Sequence, residues 1–467
     1  METRSIKYYA TCLIAVTGLL LACEKEPALP DKPVYPAGSN EAANQWMLDS
    51  LRRYYFWNTS LPGNPALDKE PQAFFRSVLH NDDRFSLLFD PNDGATLTPS
   101  LRTRYGFELS VLETGGRIVG VVTLVLKQSP AERAGLKRGD ILIQLNGKPF
   151  TKENAATLPV EFASGSSGTA VRATYAGGIW NEEEPLTIGM MYTFEHQDKY
   201  TVLDVNGTKV GYYFILSFNE TGTYSLLQAF GEFKQAGVQE MVIDLRYNYG
   251  GKVSSSAALG AMLAPGISSN SPFITYKGNA NGGTVHHSFA QALAAEEPGT
   301  DFNRITEQSL NLKRVFVLTT EATASASELI LNNLKPYMEV IQVGETTYGK
   351  DVASFEIKDR RNPPEVRWVM HPVIYKLSNS EGEGNYTAGI APTQGNILSE
   401  LEGLPDDLLR ELGDKEEALL AHALQMISRG SSYLQSHNTE PRAKPEYVLL
   451  SATAVMQAYK EPPVYLR

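Results

Sequence analysis

The chain has 467 residues, 42% hydrophobic and 20% charged, a balance that excludes a disordered or collagen-like chain and a multi-spanning membrane protein. Lysine and arginine number 42 against 53 aspartates and glutamates, giving a formal charge of -11 with no basic block, which argues against nucleic acid as a partner. Cys12 and Cys23 are the only cysteines, so the folded body holds neither a disulfide nor a cysteine-based metal site, and its chemistry falls to oxygen and nitrogen groups.

In chain order, Arg4 and Lys7 precede an apolar stretch, Ala10 to Ala22, too short for the ~20 residues of a spanning helix, so residues 1–22 read as a signal peptide. Leu20-Leu21-Ala22-Cys23 resembles a bacterial lipobox, which implies cleavage before Cys23, lipid on its thiol and a mature chain that starts there. An ordinary cleaved signal or a weak anchor is the alternative. Glu24, not aspartate, follows Cys23, which in such lipoproteins permits export to the outer membrane; the periplasmic and surface faces stay open. Within 23–39, Pro27, Pro30, Pro33 and Pro36 recur every three residues, the repeat of a polyproline II tether rising about 3.1 Å per residue.

From Ser39 and Asn40, a capping pair, Met47, Leu51 and Tyr54 and then Phe74, Phe75 and Val78 follow helical spacing, predicting a small helical domain over 40–104. The period changes over 105–195. Arg117 to Leu126 and Ile141 to Leu145 are strand-like, Asn146-Gly147 predicts a type I′ turn, and Pro130 and Gly135 bracket a short helix. The string from Ser129 to Gly147 resembles the bacterial PDZ signature. By that resemblance Gly106, Phe107 and Leu109 form the loop and strand that bind a peptide C-terminus, which adds as an extra strand.

Strand and helix patterns alternate from 196 to 430, the mark of an α/β domain. Strands are expected at 209–218, 240–245, 315–320 and 339–343, and helices at 225–234, 327–337 and 414–427. Residues 266–312, rich in Gly, Asn and Ser, read as an insertion or mobile flap. Residues 431–467 read as a tail without a usable motif.

Two strings run from buried-type strands into small polar turns: Met241 to Gly251, closed by Gly250-Gly251, and Val315 to Glu328. A serine in the second would have a helix N-terminus behind it, where developing negative charge is favoured. Its usual base would be histidine, yet none of the seven sits in a motif-like context. His371, in a β-rich stretch, is the one retained as a candidate base. His286-His287 is a weak metal candidate, because adjacent strand residues face opposite ways. A lysine replaces histidine where burial strips its charge.

Asp244-Leu245-Arg246-Tyr247-Asn248-Tyr249-Gly250-Gly251, then Thr323-Ala324-Ser325-Ala326-Ser327-Glu328, then Gly344-Glu345-Thr346-Thr347-Tyr348-Gly349-Lys350, in this order behind a PDZ pattern, resemble the carboxyl-terminal processing peptidases of the S41 family. Asp83-Arg84-Phe85-Ser86 matches a short pattern that relatives carry ahead of the PDZ domain. The resemblance implies an α+β multidomain chain: an N-terminal helical domain, a PDZ domain and a ClpP/crotonase-like α/β catalytic domain. It also implies a cofactor-free and metal-free Ser/Lys dyad with Ser325 as nucleophile and Lys350 as base. Ala326 and an amide of Gly250 or Gly251 would form the oxyanion hole, with Glu328 closing the nucleophile motif.

Such a lysine must fall from ~10.4 toward ~7–8, roughly 4 kcal/mol of desolvation, in a pocket that Tyr348 and Val352 would help line. Three positions depart from the family pattern: Ser354 where many relatives place a glutamine that orients the amine, Asp351 where glycine is common, and Tyr249 ahead of the glycines. The implied function is an envelope-anchored endopeptidase acting on protein C-terminal tails. A catalytically impaired, lipid-anchored peptide-binding scaffold is the alternative, and a glycan-uptake lipoprotein, with Phe273, Tyr276 and Phe289 as contacts, is a third reading.

Overall fold

A computed structural model describes residues 35–97, 99–190, 197–429 and 447–454 of the chain. The signal segment, Cys23 and most of the proline-rich run lie outside these residues. Helix α1 (Asn40–Tyr54) starts where the Ser39 hydroxyl accepts the Ala42 N–H at 3.2 Å, and buries Met47, Leu48 and Leu51. Helix α2 (Pro71–Val78) begins on a proline, whose missing N–H costs nothing there, and is capped by the Glu70 carboxylate. Its Phe74, Phe75 and Val78 face α1, and the strand β1 (Leu87–Phe89) follows.

The PDZ unit opens with α3 (Leu101–Tyr105), which ends at Gly106 in the left-handed conformation, φ 80°. Strands β2 (Phe107–Thr114) and β3 (Arg117–Val125) pair antiparallel, then α4 (Pro130–Arg133) leads into β4 (Ile141–Leu145). Asn146 and Gly147 have φ of 48° and 72°, as a type I′ turn requires, and pass the chain to β5 (Lys148–Pro149). Helix α5 (Leu158–Ala163) and strands β6 (Ser167–Ala176), β7 (Ile179–Glu182) and β8 (Leu186–Gly189) complete the unit around Phe107, Leu109, Leu142 and Phe162.

In the α/β domain β9 (Lys199–Val205) and β10 (Thr208–Phe214) form a hairpin, and α6 (Thr223–Ala236) crosses to β11 (Glu240–Asp244). After α7 (Val253–Leu263) come β12 (Pro272–Lys277), β13 (Thr284–Ser288), α8 (Phe289–Glu296) and α9 (Phe302–Glu307). Strand β14 (Arg314–Thr319), helix α10 (Ala326–Asn333) and strand β15 (Glu339–Gly344) then finish a sheet of order β15-β14-β11-β10-β9, parallel except for β9. Helices α6, α7 and α10 cover one face through Phe230, Phe233, Met262 and Ile330, each worth about 1.5–3 kcal/mol on leaving water. Helix α11 (Ala418–Arg429) covers the other through Leu419, Leu420 and Ala423.

Two sequence expectations fail here. Residues 266–312 are packed structure, not a flap. Strand β12 pairs with β19 (Val373–Ser378) in a sheet that also holds β13 and β16 (Val352–Ser354), and Phe273, Phe289, Leu293 and Ile305 enter the main core. The exposed β13 and the glycine-rich turn before it dilute the apolar period. Burial of Phe273 and Phe289 also withdraws them as glycan contacts. The tail is not featureless either: β20 (Val448–Ala452) joins the PDZ sheet beside β2.

The helical domain does not stand apart. Strand β1 pairs with β18 (Val369–His371), itself beside β17 (Ile357–Lys358), and Val352, Trp368, Met370 and Val373 complete the core of α1 and α2. Buried ion pairs close the PDZ–catalytic seam: Arg138 meets Glu400 at 2.7 Å, while the fully buried Arg246 meets Asp244, Glu400 and Glu417.

Candidate active site

Parallel strands β11, β14 and β15 end side by side, and the loops leaving their carboxyl ends meet, as loops at this edge of α/β sheets do. The β11 and β14 loops are pinned by the Asn248 carbonyl, which accepts the Ala324 N–H and the Ser327 hydroxyl, both at 3.1 Å. The Thr323 hydroxyl donates to the Leu245 carbonyl at 2.9 Å. Ser327 is thus buried and committed to structure. Ser325 stands at the N-cap of α10 with φ 57°, a backbone state that costs a non-glycine residue of order 1–3 kcal/mol and recurs where a nucleophile is held out on a turn.

Glu328, one turn into α10 and fully buried, joins the Ser325 loop to the Lys350 loop. Its Oε2 accepts the Ser325 N–H and the Lys350 N–H, each at 2.8 Å; its Oε1 accepts the Thr347 hydroxyl at 2.6 Å and the Gly349 N–H at 2.7 Å. The backbones of Ser325 and Lys350 therefore lie no more than two hydrogen-bond lengths apart. Burial pushes the Glu328 carboxyl above its ordinary range, against the opposing pull of those four donors.

Burial lowers the Lys350 ammonium from its ordinary value, and the negative charges of Glu328 and Asp83 oppose that fall. Lys350 Nζ lies 5.8 Å from the centre of the Phe85 ring, which meets Tyr348 edge-on at 5.9 Å. Arg84 reaches the carbonyls of Gly349 and Thr387, both at 3.3 Å, and its guanidinium stacks over Tyr348. Asp83 is held by the Tyr55 hydroxyl at 2.7 Å and by the Phe85 and Ser86 amides at 2.9 Å. The Asp83–Ser86 string, which carried no role in the sequence, thus forms a wall of the lysine site. Val352 is buried beyond it, in the core shared with α1 and α2.

A Cβ on Gly250 would lie 2.6 Å from Ser325 Cβ and 2.9 Å from the Ala326 nitrogen, so only glycine leaves room in front of that amide. The Gly250 N–H itself goes to Asn248 Oδ1 at 2.8 Å. That corrects its expected place as an oxyanion donor: Gly250 supplies space, and the donors left for the role are the Gly251 and Ala326 amides.

The departures from the family pattern resolve differently. Asp351 is fully buried but bound by Lys376 Nζ, at 2.8 and 2.7 Å to its two oxygens, so its charge is met by β19 and not by Lys350. Ser354 is exposed on β16, paired with Val373, and makes no hydrogen bond to Lys350; its expected supporting role is withdrawn. Tyr249 donates its hydroxyl to Glu108 in β2 and carries the Arg102 guanidinium 4.0 Å over its ring, tying the glycine turn to the PDZ unit.

His371 lies buried in β18, stacked on Phe89, and burial pushes it down to about 4 against the opposing charge of Glu356. It is neutral at pH 7, and no hydrogen bond among the described residues joins it to Ser325. His286 bonds the Thr275 hydroxyl and His287 packs on Tyr276. The expected peptide loop is also engaged: the Gly106 N–H caps α3 on the Leu101 and Arg102 carbonyls, Phe107 is core, and the Leu109 N–H donates to Thr453 Oγ1 at 3.0 Å.

Three family models match in chain order: the Peptidase S41 N-terminal domain over residues 42–87, a PDZ domain over 121–157 and Peptidase family S41 over 209–394. The carboxy-terminal processing proteases CtpA and CtpB of Bacillus subtilis are 24% identical over 331 residues and 26% over 325, covering 69% and 67% of this chain. The matches span 63% and 59% of those relatives, so the chain accounts for less than two thirds of their length. A crystal structure assigned to the S41 proteases, from Bacteroides fragilis, aligns with TM-score 0.66 and 26% identity over 85% of this chain and 99% of its own. Three domain matches in the expected order assign residues 209–394 to Peptidase family S41, behind its N-terminal domain and a PDZ domain, over a fold that sets the Ser325 and Lys350 loops on one carboxylate.

Proposed function

We propose that the chain is a serine endopeptidase that takes protein C-terminal tails and cuts peptide bonds through Ser325 and Lys350. The observation that carries this reading is the shared Glu328 Oε2, which holds the Ser325 and Lys350 loops together while burial lowers the lysine below its ordinary range. Neutral Lys350 Nζ takes the Ser325 proton as Oγ bonds to the substrate carbonyl carbon. The Ala326 and Gly251 amides receive the oxyanion, at a helix N-terminus that favours it. The Lys350 ammonium then protonates the departing amine, leaving an acyl-serine. Water, deprotonated by the same lysine, hydrolyses the acyl-serine and returns both groups to their starting state.

Of the two departures that motivate a decayed scaffold, Asp351 and Ser354, the first is met by Lys376. The test is peptide hydrolysis by the full chain beside Ser325→Ala and Lys350→Ala. Each variant is expected to lose at least ~10³-fold in kcat with its circular dichroism unchanged. A Ser325→Ala protein that cuts at the parental rate would refute the reading.

We also propose that lipid on Cys23 anchors the enzyme to the cell envelope, at the outer membrane; Leu20-Leu21-Ala22-Cys23 and the following Glu24 support this. Incorporation of labelled palmitate that is lost in Cys23→Ser is the expected result, and equal labelling of both would contradict it.

A further inference from the structure

Strand β2 is paired on both edges. Strand β3 takes one, and the other holds β20, from more than 300 residues downstream. The register sets Glu113 opposite Val448, Leu112 opposite Leu449, Val111 opposite Ser451 and Ser110 opposite Ala452, with the Leu109 N–H passing to Thr453 Oγ1. Strand β20 runs antiparallel, with its carboxyl-ward end beside the turn at Gly106. A peptide tail that adds to a PDZ sheet takes this edge in this direction.

The occupant is lightly held at its start and firmly at its end. Val448 and Leu449 are 57% and 40% exposed, Leu450 packs against the PDZ core, and Thr453 and Ala454 are buried, Ala454 against the catalytic core. Its sequence from Tyr447 to Ala454 is uncharged and largely apolar, extended over Val448–Ala452 and helical at Thr453 and Ala454. A half-exposed edge strand belongs to the low-stability end of a fold, where exchange with another strand costs least.

We propose that the β2 edge is an exchange site: residues 448–453 fill it as an internal ligand, and an extended peptide with apolar side chains and a free C-terminus enters by displacing them. The inference rests on the tail-binding part of the function proposed above. Affinity for a tail is then the intrinsic affinity scaled by the fraction of molecules in which β20 is detached. Fixing β20 in place lowers that affinity, and loosening it raises it.

Ser110 and Ala452 are register partners, and opposed residues of an antiparallel pair have Cα atoms about 4.5–5.5 Å apart, within disulfide range. The test uses the full chain with Cys12→Ser, Cys23→Ser, Ser110→Cys and Ala452→Cys, plus Ser325→Ala to spare the probe. The probe is a fluorescein-labelled peptide copying residues 447–454 with a free carboxylate, read by anisotropy. Expected are at least tenfold weaker binding in the oxidised protein, recovery on reduction, and several-fold tighter binding in Thr453→Val, which removes the acceptor of the Leu109 N–H. Measurable and equal binding by oxidised and reduced protein would overturn the exchange site while leaving tail binding intact. Absence of binding in every form would overturn tail binding and the exchange site together.

Discussion

The Ser325 site and the β2 edge are both places where distant segments meet, yet they are joined in opposite ways. At the first, the loops after β14 and β15 converge on one buried carboxylate, Glu328, whose two oxygens take four donors. At the second, a half-exposed strand lies along an edge, and only its last residues are buried. Charge-assisted hydrogen bonds in a dry setting fix geometry at the cost of adaptability, whereas a ladder at a wet edge does the reverse. The contrast suits a rigid catalytic constellation served by an exchangeable recognition strand.

The comparison breaks most visibly at Glu328. Glu328→Gln turns one acceptor oxygen into an amide facing two N–H donors, so stability is expected to fall by roughly 3 kcal/mol and kcat by about 10²-fold, read by thermal unfolding and peptide turnover. Thr453→Val removes one hydrogen bond at the edge and is expected to cost no more than about 1 kcal/mol in the same unfolding assay. Equal losses in the two variants would erase the distinction between the sites.

A subtler test concerns the sign of the lysine's field. Lys350 acts as a base only when neutral, so activity rises with pH through its lowered pKa. The Asp83 charge stabilises the ammonium, so Asp83→Asn lowers that pKa further and the rising limb of the pH–rate profile moves to lower pH. A shift to higher pH would contradict the placement of Asp83. The smallest effect belongs to Ser354→Ala, expected to leave kcat within about twofold, since the side chain is exposed and does not bond Lys350.

What the sequence made legible follows from how local each feature is. Period and capping placed α1, α6 and the strands β10, β11, β14 and β15 to within a few residues, and the resemblance to the S41 family implied Ser325 and Lys350 as one site. What escaped depends on partners far away in the chain. Strand β12 is recognisable only once β19 lies beside it, and β20 only once β2 offers an edge. Asp351 stands in the sequence only as a departure from the family pattern, and its partner Lys376, on another strand, is seen only in the fold. Gly250 shows its purpose as space, not as a donor, only when Asn248 is found on its N–H and Ala326 beside it.

The central claim is that Ser325 is made nucleophilic by a neutral Lys350. The most direct measurement treats the folded full chain with a fluorophosphonate probe across a pH series and maps the modified peptide by mass spectrometry. The account predicts labelling at Ser325 that rises with pH and disappears in Lys350→Ala. Labelling at another serine, or undiminished labelling of Ser325 without the lysine, would contradict it.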